Sequence, residues 1–331
     1  MQLPSVSVII PTFNRVARVV HAIDSVLGQT YAVEAYEVIV VDDGSSDRTA
    51  EVLSARYGSR IRLLQQPNQG PSAARNRGID AARYELIAFL DSDDCWFPNK
   101  LLQQIPSLNM PDVVLSYSNW TQSGRLVPMD RFNEIGLKFD SAVAVLDSPL
   151  STLLRQGGSG ILPSTCVVRK AALYRCGQFD ERMKIAEDTR LWYRLALEGK
   201  FTALREPLTE RGVFGGDNLT QTADPKYARE HARLSLELFL ETYARAGDAP
   251  PAVLARLRHY IATSLYENSI CYAVSRDYTK ARRKAIEALA FTPSGLNLAR
   301  TLCAVFVPSF IGYLNRWRQS RKSDRIKCGN Y

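Results

Sequence analysis

Histidine is scarce in this chain, with three residues at 21, 231 and 259, none inside a recognisable motif; each reads as structural or solvated. Six cysteines, at 95, 166, 176, 271, 303 and 328, form no C-x-x-C pair and no metal-finger spacing. That pattern gives a zinc module no support and suits a reducing compartment. Met1 is followed by Gln-Leu-Pro-Ser and then a strand-like run, so no secretory leader is expected. No G-x-G-x-x-G follows the first strand-like run, and no G-x-x-x-x-G-K-S/T occurs anywhere. Dinucleotide-binding and P-loop readings therefore lose their main support.

What is present is ordinary in bulk and unusual in detail. At 331 residues, 46% hydrophobic and 23% charged, the chain suits one large folded domain with an appendage, or two domains. The net charge of +8 suits anionic partners without choosing among nucleic acid, acidic lipid and phosphorylated substrates. The unusual detail is Leu90-Asp91-Ser92-Asp93-Asp94, directly after the apolar run Leu86-Ile87-Ala88-Phe89. Carboxylates at the end of a buried strand cost several kcal/mol unless a cation or donor answers them. Oxygen ligands without a Cys/His pattern favour Mg²⁺ or Mn²⁺, shared with substrate phosphates. Taken alone, a D-x-D is more often a solvated turn or a helix cap.

Position decides the matter. Val6–Ile10, Tyr36–Val41, Ile61–Leu64 and Leu86–Phe89 read as buried strands, the first closed by Pro11. Asn14–Leu27, Thr49–Tyr57 and a short basic helix carrying Arg75 and Arg77 read as the helices between them. Such alternation predicts an α/β fold with a mostly parallel sheet covered by helices, in which ligands sit outside the carboxyl ends of the strands. Thr12 and Asn14, Asp42 and Asp43, and Asp91 and Asp93 then converge on one crevice.

Four segments, in order, resemble successive signatures of family 2 glycosyltransferases of the GT-A fold: VSVIIPTFNR (6–15), VIVVDDGSSD (38–47), NQGPSAARNRGI (68–79) and LIAFLDSDDCW (86–96). The resemblance spans about residues 5–215 and implies a Rossmann-like GT-A domain, a nucleotide-sugar donor, a divalent cation and inversion at the anomeric carbon. By that likeness Pro11, Thr12 and Asn14 flank the nucleobase and ribose, and Asp42 holds the base. Arg75 faces the donor, Asp91 lies on the ribose side, Ser92 also belongs to the donor-binding residues, and Asp93 carries Mg²⁺ or Mn²⁺ on the diphosphate. Further on, QFDE (178–181) followed by EDTRLW (187–192) resembles the segment carrying the catalytic base, which assigns the base to Asp188 with Glu187 as its orienter. The apolar Leu191, Trp192 and Leu195 place both carboxylates at the mouth of a helix, where the dipole favours ionised carboxylate. Read from the residues alone, that pair is a helix cap. A glycine, Gly215, stands where the family often carries histidine, leaving Arg211 or backbone NH groups to close on the donor.

The remaining chain is less legible. Val113–Ser118 and Pro163–Arg169 read as strands, while residues 122–158 lack a firm period and fall where acceptor loops vary in the resembled family. Beyond about Asp224 only helices are predicted: Lys226–Arg245, Ala252–Val274, Tyr278–Phe291 and Gly295–Arg318, followed by a basic tail. The third resembles half of a tetratricopeptide-like unit. The last, with its tail, leaves two readings open: an anchor on an anionic membrane surface, or a docking helix with a solvated tail.

The expected organisation is a glycosyltransferase domain over 1–224, its donor half about 1–105 and its acceptor half about 106–224, then a helical region over 225–331. The expected activity is an inverting, metal-dependent transfer from a nucleotide sugar, UDP-linked, to a glycan or lipid-linked acceptor. The expected location is cytoplasmic, at the inner membrane face. A nucleotidyltransferase predicts a glycine-rich basic loop after the first strand, and Pro11-Thr12-Phe13-Asn14 is not one. A nucleic-acid or scaffold protein predicts basic and aromatic residues interleaved on one surface, whereas the basic cluster here is a tail, so no nucleic acid is expected.

Overall fold

The computed structural model describes residues 4–122, 132, 137–155, 160–183, 185–212, 225–292 and 301. The chain divides into two compact units, Met1–Asn218 and Leu219–Tyr331.

The first unit opens with alternating strands and helices: β1 (Val6–Thr12), α1 (Val16–Leu27), β2 (Tyr36–Asp42), α2 (Thr49–Tyr57), β3 (Arg62–Gln65), α3 (Pro71–Ala81) and β4 (Leu86–Phe89). There follow β5 (Cys95–Trp96), α4 (Lys100–Gln104), β6 (Val113–Gln122), β7 (Val143–Leu146), α5 (Pro149–Arg155), β8 (Cys166–Arg169), α6 (Lys170–Cys176), α7 (Glu187–Leu195) and β9 (Lys200–Arg211). Among the described residues the strands form one sheet in the order β3-β2-β1-β4-β8-β6-β9-β5, with β7 paired to β9. β3, β2, β1 and β4 run parallel. β8 is antiparallel to both β4 and β6, and β6 runs parallel to β9.

The apolar runs of β1 and β2 reflect burial on both faces. Val8, Ile10, Val38 and Val40 share one core with Val19, Ile23 and Val26 of α1. Ile9, on the opposite face of β1, meets α3 at Gly78, where a Cβ would lie 2.4 Å from Ile9 Cγ2. Each fully buried Val or Ile adds roughly 1.5–3 kcal/mol of transfer energy.

Contrary to the expectation from the sequence, Pro11 does not close β1; the strand runs on through Thr12, pairing Pro11 with Val41 and Thr12 with Asp42. Ile9 O accepts from Leu90 N–H on the β4 side, and Pro11, two residues on, faces the same side. The register with β4 ends at Phe89, so the missing N–H of Pro11 forfeits no ladder bond. β7, α5 and β9 were not expected from the sequence.

The second unit contains α8 (Pro225–Arg245), α9 (Pro251–Val274) and α10 (Tyr278–Phe291), with α9 packed against both neighbours. Ala281, Ala285 and Ala288 of α10 are fully buried, and Ser269 Oγ donates to Ala281 O at 2.8 Å, so small side chains set a close helix approach. Asp277 caps α10 by accepting from Lys280 N–H. The predicted helix Gly295–Arg318 and its basic tail lie outside the described residues apart from Thr301. No helix among the described residues is long and apolar enough to cross a membrane.

Candidate active site

Because β1, β2 and β4 are parallel, Thr12, Asp42 and the acidic turn after Phe89 emerge at one edge of the sheet. The loops there are tied together by short-range polar bonds. Asn14 adopts φ +51, a left-handed conformation asparagine tolerates, and its Oδ1 accepts from Ser46 N–H at 2.7 Å and Asp47 N–H at 3.3 Å. Its own N–H donates to Ser45 Oγ at 2.9 Å. Asp42 is buried and accepts from Ser45 N–H at 3.0 Å. Asp43, expected from the sequence to line the crevice beside Asp42, accepts from Gln66 Nε2, Gln69 N–H and Gly70 N–H at 2.7, 2.9 and 2.8 Å. It thereby fixes the start of α3.

From α3, Arg75 reaches across the crevice. One terminal nitrogen donates to Asp91 Oδ1 at 2.7 Å and the other to Glu187 Oε1 at 3.0 Å. The guanidinium is buried, 5.2 Å from the ring centroid of Phe179. Burial opposes its charge, but Asp91 and Glu187 more than compensate and hold its pKa above the usual value. The next residue, Asn76, donates to Phe179 O and Glu181 Oε1, both at 2.9 Å, and accepts from Phe179 N–H at 3.0 Å. α3 therefore ties the acidic turn at Asp91 to the segment that leads into α7.

At the mouth of α7, Ala186 sits at φ +58, a strained geometry for alanine, and delivers Glu187 and Asp188 in the first turn. Asp188 is half-buried, and its Oδ1 accepts from Thr189 N–H at 2.6 Å. Burial first, and then the Glu187 charge, push its pKa up to about 6. A carboxylate so placed is ionised near neutrality yet basic enough to accept a proton.

The acidic turn divides its carboxylates among different partners. Asp91 is paired with Arg75, and Asp93 Oδ2 lies 3.0 Å from Arg15 Nη1. Ser92 is buried. Asp94 is also buried, accepting from Ser164 Oγ at 2.6 Å and Gly212 N–H at 2.9 Å. Burial, and then the charge of Asp91, raise its pKa to about 7. Among the described residues no group of three or more His, Cys, Asp or Glu could hold a metal ion. One partly exposed carboxylate, Asp93, fits a cation shared with substrate phosphates and does not fit an all-protein cage.

All the site residues expected from the sequence lie at this edge or on α3 and α7. Pro11 and Thr12 are buried at the end of β1, and Thr12 Oγ1, like Arg75 Nε, has no hydrogen-bond partner among the described residues. Gly215 lies outside the described residues, and the Arg211 guanidinium lies 5.5 Å from the Trp120 ring centroid. The sequence reading missed Arg15 and Ser164, and it placed Asp43 in the crevice without its role as a fastener. Arg15 adjoins Asn14 and could have been suspected from its place in the same loop; Ser164 carried no signal.

The profile described as Glycosyl transferase family 2 matches residues 7–172. An Escherichia coli protein named UDP-Glc:alpha-D-GlcNAc-diphosphoundecaprenol beta-1,3-glucosyltransferase WfgD is 34% identical over 200 residues, 60% of this chain and 72% of its own. The chain spans about a third (34%) of the length of an uncharacterized glycosyltransferase from Rickettsia felis that is 31% identical over 64% of this chain. Among solved structures, S. aureus TarS 1-349 in complex with UDP-GlcNAc superposes with a TM-score of 0.67 at 19% identity, covering 96% of this chain and 92% of that one. A mannosyltransferase from Pyrobaculum calidifontis, PcManGT, in complex with GDP-Man and Mn2+, gives 0.57 at 19% identity over 95% and 87%. With half its length matched by the profile, and a GT-A fold ending in a helical region, the chain belongs to glycosyl transferase family 2.

Proposed function

We propose that this chain is an inverting glycosyltransferase that moves a sugar from a UDP-linked donor, with a divalent cation, to a hydroxyl of a glycan or lipid-linked acceptor. The observation that carries the reading is the span of Arg75. Its two ends hold Asp91 from the donor-side turn and Glu187 from the base-bearing helix, 2.7 and 3.0 Å away, so both halves of a transfer site face one crevice. Buried Thr12 Oγ1 and Arg75 Nε, lacking partners among the described residues, supply polar atoms that a donor can satisfy. The UDP assignment draws on the UDP-GlcNAc complex of TarS and the UDP-Glc donor in the name of WfgD. The lipid-linked acceptor draws on the latter name alone.

In the proposed reaction Asp188 takes the proton of the acceptor hydroxyl as its oxygen attacks the anomeric carbon, and the bond to the nucleoside diphosphate breaks in line. Glu187, held by Arg75, keeps the helix mouth oriented. Asp91 and Ser92 line the ribose side, Pro11, Thr12 and Asn14 flank the nucleoside, and Asp42 holds the base. A divalent cation, Mg²⁺ or Mn²⁺, held by Asp93 supplies charge compensation for the leaving diphosphate.

Isothermal titration of UDP tests the donor and cation assignments together. The expected result is binding that tightens at least about tenfold when Mn²⁺ replaces EDTA, a gain lost in Asp93→Asn. Equal affinity with and without Mn²⁺ overturns the metal assignment.

A further inference from the structure

The family reading leaves Asp94 without a task, yet it is the most enclosed carboxylate of the acidic turn, 6% exposed and with no cation among its hydrogen-bond partners in the described residues. A buried charge answered only by neutral donors is costly. Its contacts show what it holds. Asp94 Oδ2 accepts from the Ser164 hydroxyl at 2.6 Å, and the same Ser164 Oγ accepts from Asp91 N–H at 3.0 Å. Asp94 N–H donates to Asp91 O at 3.1 Å. The Asp91 backbone is thus gripped at its N–H and its C=O, and the proton that Ser164 gives to Asp94 leaves a lone pair free for Asp91 N–H.

Ser164 is a firm mount for this grip. It is fully buried, and its carbonyl accepts from Trp96 Nε1 at 2.8 Å and Thr209 Oγ1 at 3.1 Å. The carbonyl of the next residue, Thr165, accepts from Lys100 Nζ at 3.1 Å and Gln104 Nε2 at 2.9 Å. On its other oxygen, Asp94 accepts from the N–H of Gly212, at the end of β9, at 2.9 Å. One carboxylate therefore joins the donor-side turn to two distant chain segments.

We propose that Asp94 is a positioning residue for donor binding, acting through the Ser164 hydroxyl to fix the Asp91 backbone and hence the carboxylate on the ribose side. The inference rests on the reading of Asp91 as a donor contact. An asparagine at 94 offers one acceptor and one donor where two acceptors are needed, so it opposes N–H to N–H at Gly212 or leaves the Ser164 proton without an acceptor. Alanine at 164 keeps the charge of Asp94 and removes the link alone.

The test titrates UDP in the presence of Mn²⁺ into the wild-type protein, Asp91→Asn, Asp94→Asn, Ser164→Ala and the Asp94→Asn/Ser164→Ala double variant, with thermal melting of each. The expected result is UDP binding weakened about tenfold in D94N and in S164A, with melting temperatures close to wild type. The double variant should also lose about tenfold, because the two residues act as one unit. Losses that multiply to about a hundredfold contradict action through Ser164. Wild-type affinity in S164A, with D91N weakened, overturns the inference, and S164A decides alone should D94N fail to fold. Wild-type affinity in D91N, or no UDP binding by the wild-type protein, overturns instead the underlying reading of the site.

Discussion

Asp188 and Arg75 hold the site's main electrostatic tension. Burial and the neighbouring Glu187 raise the pKa of Asp188 to about 6, so the folded protein disfavours its ionised form relative to the unfolded chain. The sign follows: this group destabilises the fold above about pH 6, and the penalty is relieved as pH falls from there toward its unfolded value. Catalysis needs the opposite state, an ionised base. The log of kcat/KM for the donor is therefore expected to fall with an acid limb near pH 6, measured as UDP release across pH 5–8. A rate flat through that range contradicts the assignment of Asp188 as base. Arg75 is the counterweight. Replacing it with methionine leaves the partly buried Asp91 and Glu187 without their cation, which should cost up to about 3–5 kcal/mol in urea unfolding. A loss below about 1 kcal/mol would place this pair among weak surface bridges.

At the scale of elements, α3 links the two sides of the site, and its packing is tight. Gly78 allows the helix to lie on β1, since a Cβ would come within 2.4 Å of Ile9 Cγ2. Gly78→Ala is expected to destabilise by roughly 1–3 kcal/mol, with partial relief when Ile9 is shortened to valine; thermal or urea unfolding of the single and double variants checks it. A neutral or stabilising G78A shows that Ile9 moves aside freely. The donor-side elements were readable because their periods are clean. β2 is built on the apolar run Val38–Val41, β4 is apolar throughout, and α2 falls on Thr49–Tyr57, the predicted bounds. β9 was not readable. Its Arg205-Glu206 pair interrupts the apolar alternation, and the structure explains this by a register shift opposite Ser118 and Asn119 that accommodates both charges. Pro11 misled for a different reason: the rule against proline in a central strand fails where the neighbouring strand has already ended.

Across the whole molecule, the carboxylate clusters come from stretches far apart in sequence, and their convergence was legible because parallel strands put their ends on one edge. The bonds that hold them there were not. Arg75 to Glu187 spans 112 positions and Asp94 to Gly212 spans 118, and no local pattern encodes such pairings. The sequence named the residues of the site through their resemblance to a family, while the structure supplied the roles of Asp43 and Ser164 as fasteners and the pairing of Arg15 with Asp93. The most direct test of the central claim is nucleoside-diphosphate release from UDP-glucose, UDP-N-acetylglucosamine and GDP-mannose with Mn²⁺, for the wild-type protein and Asp188→Asn, with UDP affinity measured in parallel. The account predicts release from a UDP-sugar by the wild-type protein and a loss of about 10²–10⁴-fold in D188N, with UDP binding retained. Equal release by both proteins, or none from any donor, contradicts it.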